Sequence, residues 1–164
     1  MTTPTYTVPY RRKREGKTDY KKRLHLLKSR KPRLVIRITN TQFIAQIVTY
    51  NPEGDNVHVT ITGKNLEEQG WEYATDSIPA GYLTGVLVAK AAKEHDISEA
   101  VLDIGLHTPH RGGKIFSALH GAIDGGLDIP ANSDVFPSKE RQRGAHIDET
   151  LATDFDEIKE ELLS

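Results

Sequence analysis

Three short stretches between residues 33 and 62 constrain the fold most. In residues 33–39 (RLVIRIT), Leu34, Ile36 and Ile38 alternate with Arg33, Val35 and Arg37, the period of a strand with one buried face. Residues 43–50 (FIAQIVTY) are rich in β-formers, and Val57, Val59 and Ile61 alternate with His58, Thr60 and Thr62. The link Asn40-Thr41-Gln42 suits a tight hairpin, with Asn40 tolerant of positive φ, and 51–55 (NPEGD) is a second turn signal. The spacing predicts a three-stranded meander.

Beyond the meander the period becomes helical. Residues 78–95 carry Leu83, Val86, Leu87, Lys90 and Ala91 as one stripe. Gly81, Gly85 and Ala89 place small residues at i, i+4 and i+8, expected to let this helix lie close on a sheet. Residues 101–104 read as a short apolar strand. Residues 112–123 read as a second helix, with Ile115, Leu119 and Ile123 at i, i+4 and i+8 and Gly125-Gly126 as its stop. The order β-β-β-α-β-α predicts a layered α/β domain over about residues 31–130.

The rest of the chain is set apart by charge. Residues 1–37 hold 13 Lys+Arg against Glu15 and Asp19, a net of +11, and the remainder is −12, within an overall −1. A chain so polarised has one end that seeks a polyanion. Residues 1–16 read as an extended arm, since Pro4 and Pro9 oppose helix. Residues 17–29 read as a helix capped by Thr18, with Tyr20, Leu24 and Leu27 on one face and Pro32 ending it. From Asp148 onward there are seven acidic residues and one lysine, and Phe155, Ile158 and Leu162 suit one short amphipathic helix. That tail reads either as a solvated end or as a contact for a basic neighbour. The chain has no cysteine, which excludes disulfides and thiolate metal sites. No apolar run approaches the roughly 20 residues of a membrane span, and the N-terminus lacks the apolar stretch of a signal peptide.

Arg11, Arg12, Lys13 and Arg14, then Lys21, Lys22 and Arg23, with Tyr10 and Tyr20 interleaved, combine phosphate neutralisation with surfaces on which bases stack. Their density and the scarcity of local acids favour nucleic acid over a solvated charge run or a localisation signal. Between the fourth strand and the second helix, His107-Thr108-Pro109-His110-Arg111-Gly112-Gly113-Lys114 offers backbone N–H groups and two cations to an anion. The alternative there is an ordinary strand-to-helix loop, and the P-loop spacing is absent. His107, His110 and His120 lack an acid or cysteine at a recognised zinc spacing. Asp103, Asp124 and Asp128 are the acids a metal nuclease would draw on, but the first strand supplies none, and Asp103 is expected to be a loop-stabilising acceptor. Arg141, Arg143 and His146 fit a second RNA contact or a plain surface loop equally well.

The residues at 9–37 (PYRRKREGKTDYKKRLHLLKSRKPRLVIR) and 100–130 (AVLDIGLHTPHRGGKIFSALHGAIDGGLDIP) resemble the large-subunit ribosomal L-eighteen family in its archaeal form. Residues 69–85 and 143–147 add to the resemblance, which runs from Pro9 to about Ile147. It implies an α/β domain of the kind shared with the small-subunit S-eleven family, loosely ribonuclease-H-like; with the charge pattern, the expected division is a basic N-terminal arm and helix (1–30), a 5S rRNA-binding domain (31–130) and a C-terminal extension with an acidic tail (131–164), for which the resemblance itself implies nothing beyond Ile147. It implies binding of 5S rRNA beside 23S rRNA in the central protuberance, near the L-five ribosomal protein family. No catalysis, cofactor, small-molecule substrate or membrane is implied. The hairpin residues Asn40, Thr41 and Gln42, with Gln46, are similar to the family's pattern near the RNA. Charge and resemblance together extend the expected RNA-facing set to Lys17, Lys28, Lys31, Arg33, Arg37, His110, Arg111, Gly112, Gly113, Lys114, Arg141 and Arg143. The rival expectations are a non-ribosomal RNA-binding module and a degenerate metal-dependent nuclease.

Overall fold

The computed structural model describes residues 7–164. Strands β1 (Arg33–Ile38), β2 (Phe43–Thr49) and β3 (Asn56–Thr62) form the antiparallel meander, and β4 (Val101–Asp103) adds to β1 in parallel. The sheet order is therefore β3-β2-β1-β4. The β1–β2 register pairs Ile38 with Phe43. Thr39 shapes the turn, its Oγ1 accepting from the backbone N–H of Gln42 at 3.0 Å. A register shift at Ile47/Val48 pairs Val48 with Val57 and skips His58, the one-residue excess of a β-bulge.

Between β3 and β4 run α3 (Gly63–Glu67) and α4 (Ile78–Glu94), and α5 (Lys114–Asp124) comes after β4. Ser77 caps α4 through Ala80 N–H, and Pro79 lies in its first turn, where a missing N–H costs nothing. Leu34, Ile36, Phe43, Ala45, Ile47 and Val59 pack from one face of the sheet against Val88, Ala92, Ala118 and Leu119. The core-facing residues of β1 alternate as its sequence does, but Arg33 and Val35 on the other face are buried too. The small residues of α4 serve a different contact from the one expected. A Cβ at Gly85 would lie 2.0 Å from the carbonyl oxygen of Ala118, and one at Gly121 would lie 2.0 Å from that of Tyr82. Thus α4 and α5 meet backbone to backbone, whereas a Cβ at Gly81 would lie 2.7 Å from the Phe43 ring of the sheet, and Ala89 belongs to the core cluster that the sheet shares.

After a 3₁₀ turn (Ser133–Val135) come α6 (Lys139–Arg143) and α7 (Glu149–Leu163). Leu151, Phe155, Ile158 and Leu162 of α7 close a second core with Leu66, Trp71, Tyr82, Leu83 and Val86. The acidic tail is therefore a four-turn helix seated on α4, not a solvated end. Two expectations at the basic end also change. Residues 11–14 make one helical turn, α1 (Arg11–Arg14), inside the segment read as extended; Pro9 precedes it, and Pro4 lies outside the described residues. The next helix, α2 (Tyr20–Leu27), is capped by Asp19. Thr18, the expected cap, lies one residue too early, and its Oγ1 accepts from Arg12 Nε at 2.8 Å. The helix ends before Pro32, at Lys28, and Arg30 lies just beyond at φ 57°.

Candidate nucleic-acid interface

Most basic residues of the arm sit on two short helices, of which α2 carries a side-chain cap. Asp19 Oδ1 accepts from Lys21 N–H at 2.9 Å and Lys22 N–H at 3.1 Å. The Lys22 N–H, more than any other group, holds the Asp19 carboxyl below its ordinary pKa. Arg11, Arg12, Lys13, Arg14, Lys17, Lys21, Lys22 and Lys28 are exposed. Glu15 lies within 4 Å of Arg11 and Lys17. Tyr10 and Tyr20 form a tilted aromatic pair with ring centroids 5.2 Å apart, and Tyr10 remains exposed.

A chain of alternating charges ties this helical pair to the second face of the sheet. Arg23 of α2 reaches Asp55 at 2.8 Å; Asp55 also accepts from Arg33 at 2.6 Å; Arg33 donates to Asp103 at 2.7 Å. Asp103 in turn accepts from Arg37 at 3.1 Å and from Gly105 N–H at 2.9 Å. Burial opposes ionisation of Asp103, but the Arg37 charge, the Gly105 N–H and the two arginine hydrogen bonds outweigh it, so the pKa is lowered. Arg37 donates further to the carbonyls of Ile36 and Asp103, at 2.8 and 2.7 Å, so its guanidinium is fixed at three points. Arg33 is 3% exposed. It is thus an internal strut and not an open RNA-facing side chain, whereas the Arg37 side chain keeps 37% of its surface in solvent.

Between α2 and this face of the sheet lies a groove of about 600 Å³, lined by Val35, Val48 and Val57 and rimmed by Arg12, Lys17 and Lys22. The loop after β4 borders it through Gly105, Leu106 and Pro109. Parallel pairing of β4 with β1 puts that loop at the same end of the sheet as the 39–42 hairpin turn. Asn40 and Thr41 are exposed there. Gln42 is engaged, its Oε1 accepting from Gly63 N–H at 3.1 Å, and Gln46 donates to Thr60 at 3.1 Å. Thr75 Oγ1 donates to the Thr41 carbonyl, and Lys114 reaches Asp76 at 2.8 Å, so the hairpin and the glycine-rich turn share one edge. His110 and Arg111 are exposed; Gly112 adopts φ +66° and Gly113 caps α5.

Three further expected residues lie apart or are already paired. Arg143 bonds Asp156 of α7, and Arg141 sits beside it on α6, away from the groove lining. Lys31 pairs with Glu99 at 2.6 Å, and that hydrogen bond raises the lysine's pKa. His120 stacks on Phe136 at 4.4 Å and meets Gln142. No group of three or more metal-ligating side chains occurs among the described residues. Sequence reasoning missed Asp55 and Gly105. Asp55 sits in a turn where any acid looks ordinary, though two outward arginines on β1 demanded counter-charges. Gly105 has φ +59°, and a Cβ there would come within 2.8 Å of Arg37 Cζ.

Comparison with known proteins gives the chain a family. The family described as ribosomal large subunit proteins 60S L5 and 50S L18 matches residues 4–97 and 90–132. A protein of Natronomonas pharaonis named large ribosomal subunit protein uL18 is 53% identical over 148 residues, covering 90% of this chain and 80% of its own. The protein of that name from Haloarcula marismortui is 47% identical across 99% of this chain and 96% of its own. That of Korarchaeum cryptofilum is 48% identical across 87% and 73%.

Proposed function

Because the chain belongs to the family of ribosomal large subunit proteins 60S L5 and 50S L18, we propose that it binds 5S rRNA and helps attach it to 23S rRNA in the central protuberance, beside a protein of the L-five family. It is a structural protein of the large ribosomal subunit and not an enzyme. It works in the cytoplasm, as part of the ribosome, with ribosomal RNA and other ribosomal proteins around it. Asp103, the acid nearest to a nuclease's needs, accepts on both carboxylate oxygens from Arg33, Arg37 and Gly105, which supports a structural role for it.

The observation that carries the RNA reading is the two-sided cationic surface. Exposed arm cations line one side of the groove and Arg37 the other, and the exposed hairpin tip and Arg111 lie beyond the groove lining. In this reading residues 1–30 neutralise phosphates and thread between RNA segments, while the 31–130 domain supplies shape. The deep major groove of A-form RNA is too narrow for side chains, so recognition rests on backbone, shape and unpaired bases. Tyr10, Tyr20, Asn40 and Thr41 offer stacking and polar contacts; Arg33 acts by holding Asp55 and Asp103. The proposed kinship with the S-eleven and ribonuclease-H-like folds agrees with the mixed four-stranded sheet. Filter binding of the full chain to 5S rRNA and to a scrambled duplex of equal length tests this. A clear preference for 5S rRNA is expected; equal affinity would instead support a general RNA-binding module.

A further inference from the structure

Asp55 places a carboxylate in a cationic groove, where it works against the attraction of a polyanion. Its contacts give it another task. Two anchors fix it on the domain. Arg33, 3% exposed and itself held by Asp103, donates to Asp55 at 2.6 Å. Asn51 closes the turn before it: its carbonyl accepts from Gly54 N–H and its Oδ1 from Glu53 N–H, each at 3.1 Å. From the arm, one Nη of Arg23 donates to both Asp55 oxygens, at 2.8 and 2.9 Å.

Little else joins the arm to the domain. Neither α1 nor α2 contains a buried residue, and Leu24 is 57% exposed. Among the described residues, every other side-chain hydrogen bond or ion pair of residues 7–28 stays within the arm. The arm itself is one body. Tyr10 pairs with Tyr20, Arg12 Nε donates to Thr18, and Lys17 N–H donates to the Arg12 carbonyl at 2.9 Å. A single tether therefore orients both helices and the cations they carry. A body held this way exchanges between docked and released states, and its apparent affinity for a target scales with the docked fraction.

We propose that Asp55 is a positioning residue for RNA binding: through Arg23 it docks the basic arm on the sheet before RNA arrives. This rests on the RNA-binding reading above and deepens it, since it names what sets the arm's geometry. Arg23 then serves as the tether and not as a phosphate contact. The consequence has a distinctive sign. By charge alone, losing the Asp55 carboxylate strengthens RNA binding, because a repulsive group leaves the groove and a guanidinium is freed. By docking, the same loss weakens it, because the released arm must be ordered when RNA binds.

The test uses the full chain and the variant Asp55→Asn. The chain has no cysteine, so nitroxide labels can be placed at Lys13→Cys on α1 and Glu94→Cys on α4, both exposed positions. Electron–electron double resonance on the free protein should give one narrow distance distribution, which Asp55→Asn broadens. A broad distribution without Asp55→Asn, or a narrow one with it, would overturn the proposal. Affinity of the unlabelled chain for 5S rRNA should fall about fivefold in Asp55→Asn, the scale of one partly exposed ion pair. The slope of log affinity against log salt should stay unchanged, since no phosphate contact is lost. An unchanged or raised affinity would leave charge as the whole account and overturn the proposal. If the distances behave as expected but wild type does not prefer 5S rRNA to a scrambled duplex, the proposed function fails and the docking stands. Should Asp55→Asn not fold, Arg23→Gln breaks the same tether and leaves Arg33 paired. It must broaden the distances and keep the salt slope; a slope smaller by about 0.7–0.9 would make Arg23 a phosphate contact and overturn the proposal.

Discussion

At the residue scale, Asp103 is the hinge of the interface. It stands between two arginines on neighbouring strand β1, and its carboxyl is only 9% exposed. Removing one member of a buried ionic cluster leaves the others uncompensated, at a cost of about 3–5 kcal/mol. Asp103→Asn should lower the stability of the chain by that order in urea unfolding; a variant as stable as wild type would contradict the strut assigned to Arg33. The same group makes stability depend on pH. Its folded-state pKa lies below the ordinary 3.8. The stabilisation is therefore complete above about pH 4 and is lost as pH falls through the lowered value, because below it the unfolded and folded states bind the proton alike. Thermal melts of wild type between pH 7 and pH 3 should show this acid limb, and the Asn variant should show less of it. Asp55 could not be recognised from its neighbours, since its partners Arg23 and Arg33 lie 32 and 22 residues away in the chain.

At the element scale, the α4–α5 contact sets where the glycine-rich turn and the fourth strand sit. Gly85 and Gly121 let the two backbones touch, and α5 carries Gly113 and Lys114 at its start. Gly85→Ala would drive a methyl group into the Ala118 carbonyl, and the helices must part. Overpacking of this kind costs about 1–3 kcal/mol, read as a lowered urea midpoint with an unchanged m-value. A neutral outcome would mean that α5 shifts freely. The helical stripes of α4 and α5 and the alternation in β1 to β3 were legible because each repeats within a few residues. The small-residue stripe was read for one neighbour where it has two, Gly81 facing the sheet and Gly85 facing α5, because period tells that a close contact exists but not what makes it. The α2 cap was misassigned by one residue, since Thr18 and Asp19 are both able caps and only the place where the folded helix begins decides between them.

At the scale of the whole molecule, the charge asymmetry has a structural counterpart. The basic arm lies over one face of the sheet, and α7 lies on α4, which packs against the opposite face. The acidic tail thus combines two roles: its Leu151, Phe155, Ile158 and Leu162 finish a core, while most of its charges stay outside. Removing residues 1–30 should weaken 5S rRNA binding and flatten its dependence on salt. Each phosphate contact contributes about 0.7–0.9 to the slope of log affinity against log salt. A truncated chain that keeps both the affinity and the slope of the intact one would move the principal RNA contact onto the folded domain.

The amino-acid order by itself determined the strand and helix periods, the turn positions, the polarity of charge and the family resemblance, for these are written in neighbouring residues. Only the tertiary structure decided which of the cations are free. Arg33 and Asp103 are 70 residues apart in the chain and 2.7 Å apart in space. Parallel pairing of β4 with β1 brings them together, and burial then turns one apparent RNA contact into an internal strut while leaving Arg37 partly open beside it. Long-range pairing and desolvation, which no local pattern encodes, separate a basic residue left open to solvent from one that holds the fold.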